Sequence, residues 1–151
     1  MPTLTSFITF EDKAEEAVSF YLSVFENGKI LSSMPGPNNK PLTIEFELLG
    51  QRMVAMNGGP SFKLTQAFSL FVGCDTQTEI DRYWSKLTEG GKEVQCGWLV
   101  DKFGLSWQII PKSLPSLLTS KDPAKAARAM QAMLKMVKLD IAALERAHAG
   151  D

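Results

Sequence analysis

The sequence predicts an α+β protein made of two copies of one β-α-β-β-β unit. Three observations carry this. A strand–helix–strand pattern is written twice, once on each side of Asn57-Gly58-Gly59-Pro60. The copies match at a constant offset: Phe20-Tyr21 falls on Tyr83-Trp84, Val24 on Leu87, Glu16 on Glu79, Asp12 on Asp75 and Ser6 on Ser69, and Glu26-Asn27-Gly28-Lys29 falls on Glu89-Gly90-Gly91-Lys92. Those matches gather on the helix, its cap and its stop, as an internal duplication requires. Finally, residues 96–111 read as two short strands joined by Asp101-Lys102-Phe103-Gly104, with Asp first and Gly fourth as a type I turn prefers.

Taken in order, residues 6–10 alternate as a first strand. Asp12 is the expected cap of a helix, with Glu15 in capping-box spacing. Ala14, Ala17, Val18, Tyr21, Leu22 and Phe25 recur at helical spacing and form one apolar stripe. Asn27-Gly28 supplies the left-handed stop. Residues 29–34 read as a strand, 35–41 as a Pro/Gly/Asn loop, and 43–48 and 53–57 as strands around Gly50. A linker over about residues 58–66 follows. In the second copy, residues 69–72 are a strand, Asp75-Thr76 opens a helix through Ile80, Tyr83, Trp84 and Leu87, and Pro111 ends the last strand because it has no N–H for the ladder. A short helical piece is expected over 114–118. Asp122-Pro123 then starts a long terminal helix reaching about Ala147, with Ala127, Met130, Met133, Leu134, Val137, Ile141 and Leu144 as its apolar stripe. Unit one thus spans about residues 4–57, unit two about 67–111, and the C-terminal helices about 113–147.

The chain has 151 residues, 44% hydrophobic and 22% charged, enough for a core. A net charge of −1 provides no basic footprint for nucleic acid. No apolar run reaches the ~18 residues of a membrane span. The first residues lack the basic and apolar regions of a signal peptide, and two Cys, Cys74 and Cys96, are no disulfide framework. A cytoplasmic protein with reduced thiols is therefore expected.

Each unit alone covers one face of its sheet. Two units side by side are expected to enclose a cleft with polar groups at Ser6, Ser69, Asn57 and Gln108. Gly50 and Gly104 each precede the last strand of a unit, so Asn57 and Gln108 are expected in comparable places. Gln108 sits in an apolar hairpin, where an amide without partners costs roughly 1–3 kcal/mol. It is read either as a ligand-orienting amide or as a structural hydrogen bond. Asn57 is read as a ligand contact or as turn chemistry. Ser6 and Ser69 are read as cleft groups or as strand residues satisfied locally. Trp98, Phe62 and Met56 are expected as apolar walls, since small-molecule sites are mostly apolar. Trp107 is expected in the core, Asp101-Lys102 in a solvated turn, His148 at a solvated helix end, and the stripe from Met130 to Ile141 in the core or a dimer contact.

The repeat, Glu16-Ala17-Val18-Ser19-Phe20-Tyr21, Asn57-Gly58-Gly59-Pro60 and the hairpin of residues 96–111 resemble the PhnB-like branch of the vicinal oxygen chelate superfamily. That superfamily includes glyoxalase I, bleomycin-resistance proteins and extradiol dioxygenases, and the branch carries the domain label 3-demethylubiquinone-9 3-methyltransferase. The resemblance runs over about residues 4–147. It implies a glyoxalase/bleomycin-resistance-like fold and a homodimer. The superfamily's metal enzymes hold a divalent ion with two His and two Glu, and those positions fall near Ser6, Ser69, Asn57 and Gln108. None offers the imidazole or carboxylate that such an ion needs, so no metal and no cofactor is expected. The expected function is a metal-free cleft that binds a small organic molecule. Two other readings stand beside it. One is an enzyme, either a divergent glyoxalase-type isomerase or lyase or the methyltransferase of the label. The other is a structural dimer without ligand. Against the methyltransferase, Asn57-Gly58-Gly59-Pro60 is not a G-x-G-x-x-G turn opening a helix.

Overall fold

The computed structural model describes residues 1–151. The chain divides into two units, Met1–Leu64 and Thr65–Asp151. Unit one contains β1 (Ser6–Phe10), α1 (Ala14–Val24), β2 (Lys29–Pro35), β3 (Pro41–Leu48) and β4 (Gln51–Asn57). Its sheet runs β1-β4-β3-β2, with β1 parallel to β4 and the other neighbours antiparallel. Unit two contains β5 (Ser69–Cys74), α2 (Gln77–Thr88), β6 (Lys92–Glu93), β7 (Trp98–Val100) and β8 (Ser106–Pro111), in the sheet order β5-β8-β7-β6. After it come α3 (Leu114–Leu118), α4 (Pro123–Leu134) and α5 (Ile141–Ala149). The same sheet order written twice is the expected duplication.

In unit one, the α1 stripe Ala14, Ala17, Val18, Tyr21 and Val24 is buried, as are Ile8, Ile44, Phe46, Met53 and Ala55 in the strands. The Tyr21 ring stacks on Phe46 at 6.5 Å. The helix start departs from the sequence reading. Lys13, not Asp12, occupies the N-cap, and its side chain caps nothing. Instead Asn57 Oδ1, from the end of β4, accepts the Ala14 N–H at 2.9 Å. A cap from 43 residues away leaves no local signal.

In unit two, α2 opens as expected. Thr76 accepts from the Glu79 N–H at 3.2 Å, and Glu79 in return accepts the Asp75 N–H at 3.1 Å. Ile80, Trp84 and Leu87 are buried; they match Ala17, Tyr21 and Val24 of α1. The β7–β8 hairpin turns through an Asp101 C=O···H–N Gly104 bond of 2.9 Å, with Gly104 at φ 91°. That left-handed residue is the bulge position of a three-residue hairpin loop. Asp101 itself is not solvated as expected. It is 3% exposed. Its carboxylate accepts the N–H groups of Phe103 (2.8 Å) and Leu105 (3.1 Å) and the indole N–H of Trp107 (2.8 Å).

The terminal helix is also broken where continuity was expected. Asp122 caps α4 through the Ala124 and Lys125 N–H groups. After Leu134 the helix stops, and Asp140 caps α5 by accepting the Ala143 N–H at 2.9 Å. Between them, residues 135–140 form a strap. Its carbonyls at Met136 and Val137 accept the Cys96 and Gly97 N–H groups (2.9 and 2.8 Å). The buried residues are Ala129, Leu139 and Leu144, while Met130, Leu134 and Val137 of the expected stripe are 37–50% exposed.

Both cysteines are free. Cys74 is buried, and burial, followed by the nearby carboxylates of Glu79 and Asp75, pushes its thiol up to about 11 from 9.0. The folded state therefore holds this proton more tightly than the unfolded chain. The linked stability is present below pH 9 and lost as pH rises from about 9 to about 11. Alkylation with iodoacetamide at pH 8 is expected at Cys96 and not at Cys74, because the thiolate is the nucleophile. Peptide mass spectrometry showing equal labelling would refute this.

Candidate functional site

Strand alternation sorts the candidates by face. In unit two, Cys74 lies on the α2 side, next to Glu79. Register places Leu70 beside Trp107 and Val72 beside Ile109 on that same side. The opposite, open face therefore carries Ser69 and Phe71 on β5, Ser106, Gln108 and Ile110 on β8, and Trp98 and Val100 on β7. Gln108 pairs laterally with Phe71 on one side and Trp98 on the other. Its Nε2 donates to Ser69 Oγ at 3.0 Å. Ser69, Gln108 and Trp98 are thus brought together, each half-buried. Gln108 Oε1 makes no hydrogen bond within the chain.

Two residues of this face were not singled out from the sequence. Phe71 is 60% exposed and lies directly beside Gln108. Ser106, the register partner of Ser69, is 1% exposed, and its hydroxyl has no hydrogen-bond partner. An orphaned buried hydroxyl costs about 1–3 kcal/mol, which marks a position whose polarity the fold does not need. Its one available signal was the alternation Ser106–Gln108 on a strand otherwise apolar.

Unit one is arranged differently. Asn57 uses both ends of its amide inside the unit: Oδ1 accepts from Ala14 and Nδ2 donates to Pro41 O at 3.0 Å. It therefore lies on the α1 side. Ser6, the register partner of the buried Met53, lies on that side too. On the open face are Phe7, Thr9, Val54 and Met56. Phe7 is 57% exposed and pairs with Val54 as Phe71 pairs with Gln108. The residue equivalent to Gln108 is consequently Val54, and the expected equivalence of Asn57 with Gln108 is not what the register gives. The helices match at one spacing (Tyr21 with Trp84) and the first strands at a spacing one longer (Phe7 with Phe71), a slip that puts Ser6 and Ser69 on opposite faces. Asn57 stands three residues beyond Val54, an odd step that likewise puts it on the other face. Met56 and Phe62 gather around Gly58: a Cβ there would lie 3.0 Å from Met56 Cε and 3.7 Å from Phe62 Cδ2. The open face of unit one carries a groove of about 430 Å³ lined by Phe7, Ser32, Met34, Thr43, Glu45 and Val54. No three His, Cys, Asp or Glu side chains gather anywhere in the chain to hold a metal.

The comparisons with known proteins decide the family. The family described as 3-demethylubiquinone-9 3-methyltransferase matches residues 2–110. A PhnB protein of Bacillus cereus that carries the same name is 34% identical, with a TM-score of 0.67 over 73% of this chain and 99% of that chain. The chain belongs to this PhnB-like family of the vicinal oxygen chelate superfamily. Two more distant structures share the PhnB-like fold. Protein PA1353 of Pseudomonas aeruginosa is 18% identical, with a TM-score of 0.64 over 74% of this chain and 98% of that chain. The fosfomycin resistance protein FosX of Listeria monocytogenes, complexed with Mn(II) and sulfate, is 14% identical, with a TM-score of 0.55 over 70% and 88%. No curated protein matches the chain. The family match stops at Ile110, so the C-terminal helices stand outside it, whereas the sequence reading carried the resemblance to about residue 147. No helix is long and apolar enough to cross a membrane.

Proposed function

We propose that this PhnB-like chain binds a small organic molecule, without a metal ion, on the open face of unit two. The observation that carries this is the Gln108–Ser69 pair: a half-buried amide held by one hydrogen bond, with Oε1 uncommitted, between Phe71 and Trp98. An apolar surface with one oriented polar group is what a small-molecule site requires. The pair still offers the Oε1 acceptor and, as donors, the second Nε2–H and the Ser69 O–H, which suits a ligand with a neutral hydrogen-bonding group. The superfamily's metal ligands, carried over from the resemblance, fall near Ser6, Ser69, Asn57 and Gln108; of these, Ser69 and Gln108 share the open face, and neither is an imidazole or carboxylate. In unit one, Met56 and Phe62 offer uncommitted apolar surface, whereas the Asn57 amide is engaged at both ends. The protein is further proposed to be a homodimer, which light scattering of the purified chain tests directly.

The experiment is a thermal-shift panel of small organic molecules, run after chelator treatment and again with added Mn(II) or Zn(II). The expected result is at least one compound that raises the melting temperature with or without metal. Its affinity should fall about tenfold or more in Gln108→Ala, since an unpaired ligand group is left behind. A shift seen only with metal sinks the metal-free reading. The family description favours one rival, methyl transfer, so S-adenosylmethionine belongs in the panel. Stabilisation by that compound alone would transfer the conclusion to the enzyme.

A further inference from the structure

The segment beyond the family match has its own structural task. The Bacillus cereus relative is covered over 99% of its length by 73% of this chain, so this chain has a part with no counterpart there. The family match ends at Ile110. From Pro111 onward the chain builds α3, α4, the strap and α5, and their apolar side chains converge on that same residue. Ile110 is 5% exposed and packs in one cluster with Leu114, Leu139 and Leu144. Ile110 lies on the open face of unit two, two residues beyond Gln108. The strap's second attachment is at Cys96 and Gly97, whose N–H groups reach Met136 O and Val137 O. The next residue is Trp98. Both attachments therefore flank the Trp98–Gln108 pair.

The attachment is specific. Gln77, at the start of α2, clasps the end of the strap with both ends of its amide: Nε2 donates to Leu139 O at 3.0 Å, and Oε1 accepts the Ile141 N–H at 2.9 Å. Lys138 Nζ pairs with Asp81 at 2.7 Å beside it. Gly97 holds φ 83°, and a Cβ there would lie 2.8 Å from Ile110 Cδ1 and 3.1 Å from Leu139 Cδ1. The backbone before Trp98 is thus pressed between Ile110 and the strap.

We propose that residues 112–151 are a positioning device for the ligand face of unit two, fixing Trp98 opposite Gln108 and closing the face at Ile110. This rests on the reading that the Gln108 face binds a ligand. Leu139, Gln77 and Gly97 are its positioning residues; none is placed in contact with ligand.

The test uses the full chain and two readouts that need no ligand. Amide-resolved hydrogen exchange at Cys96 and Gly97 reports whether the strap is attached. Acrylamide quenching of tryptophan fluorescence reports Trp98, because Trp84 and Trp107 are 4% and 2% exposed. In Leu139→Ala and in Gln77→Ala, exchange at both amides is expected to rise tenfold or more, and the quenching constant about twofold. Leu139→Met is expected to keep both near the wild-type value. Faster exchange with unchanged quenching overturns the proposal, and so does exchange that stays slow in both loosening variants. A ligand panel without hits would sink the binding reading and leave these two readouts standing.

Discussion

Asp101→Ala is expected to cost about 4–5 kcal/mol of folding stability. The carboxylate is 3% exposed and receives three N–H groups, two from the turn backbone and one from the Trp107 indole. Removing it strands all three in a buried site, at about 1–3 kcal/mol each. Part of that returns, because a buried carboxylate no longer has to be desolvated. The stranded donors outweigh the refund, since each had its bond geometry set by the turn. Loss of this size would lower the melting temperature of a 151-residue chain by roughly 8–20 °C. Asp101→Asn keeps an acceptor for part of the set and should lose about half as much. Urea unfolding of the two variants measures both. A loss below about 1 kcal/mol in Asp101→Ala would mean that water replaces the carboxylate and that the hairpin is not organised by it.

Asn57→Ala should cost about 2–3 kcal/mol. One part is the cap of α1, worth about 0.5–2 kcal/mol; the other is the bond to Pro41 O, worth about 1 kcal/mol. Asn57→Asp separates them, because a carboxylate still accepts from Ala14 but has no hydrogen to give Pro41 O. It should retain the cap and lose the second bond. Gln108→Ala, by contrast, removes one half-exposed hydrogen bond and should cost under about 1 kcal/mol. Equilibrium unfolding of the three variants orders them. If Gln108→Ala proves as costly as Asn57→Ala, the Gln108 amide is a structural group, and the reading of it as a ligand contact loses its basis.

The sequence reading was accurate where structure depends on local spacing. The α1 and α2 stripes, the Asp75-Thr76 helix start, the Asp122-Pro123 start, the short helix at Leu114–Leu118 and the turn at Asp101–Gly104 all appear where periodicity and turn chemistry place them. It went astray at four places, each governed by a partner outside the element's own repeat. Asp12 gave way to Asn57 as the source of the α1 cap. Asp101 was drawn inward by Trp107, six residues along on the neighbouring strand. The terminal helix broke because the carbonyls of Met136, Val137 and Leu139 bond to Cys96, Gly97 and Gln77 rather than within a helix. The pairing of Asn57 with Gln108 failed on strand parity, which a helix-based alignment of the two copies cannot see.

By itself, the sequence determined the two-unit α+β plan and the family, because hydrophobic period and turn residues act within a few positions of one another. It also supplied Ser6, Ser69, Asn57 and Gln108 as uncharged candidates, since residue identity needs no coordinates. Only the tertiary structure decided which of those groups meet. Ser69 and Gln108 are 39 residues apart and share a hydrogen bond, while Asn57 is turned to the other side of its sheet to hold a helix. A side chain's face depends on strand register, and register is set by long-range pairing that no local pattern records.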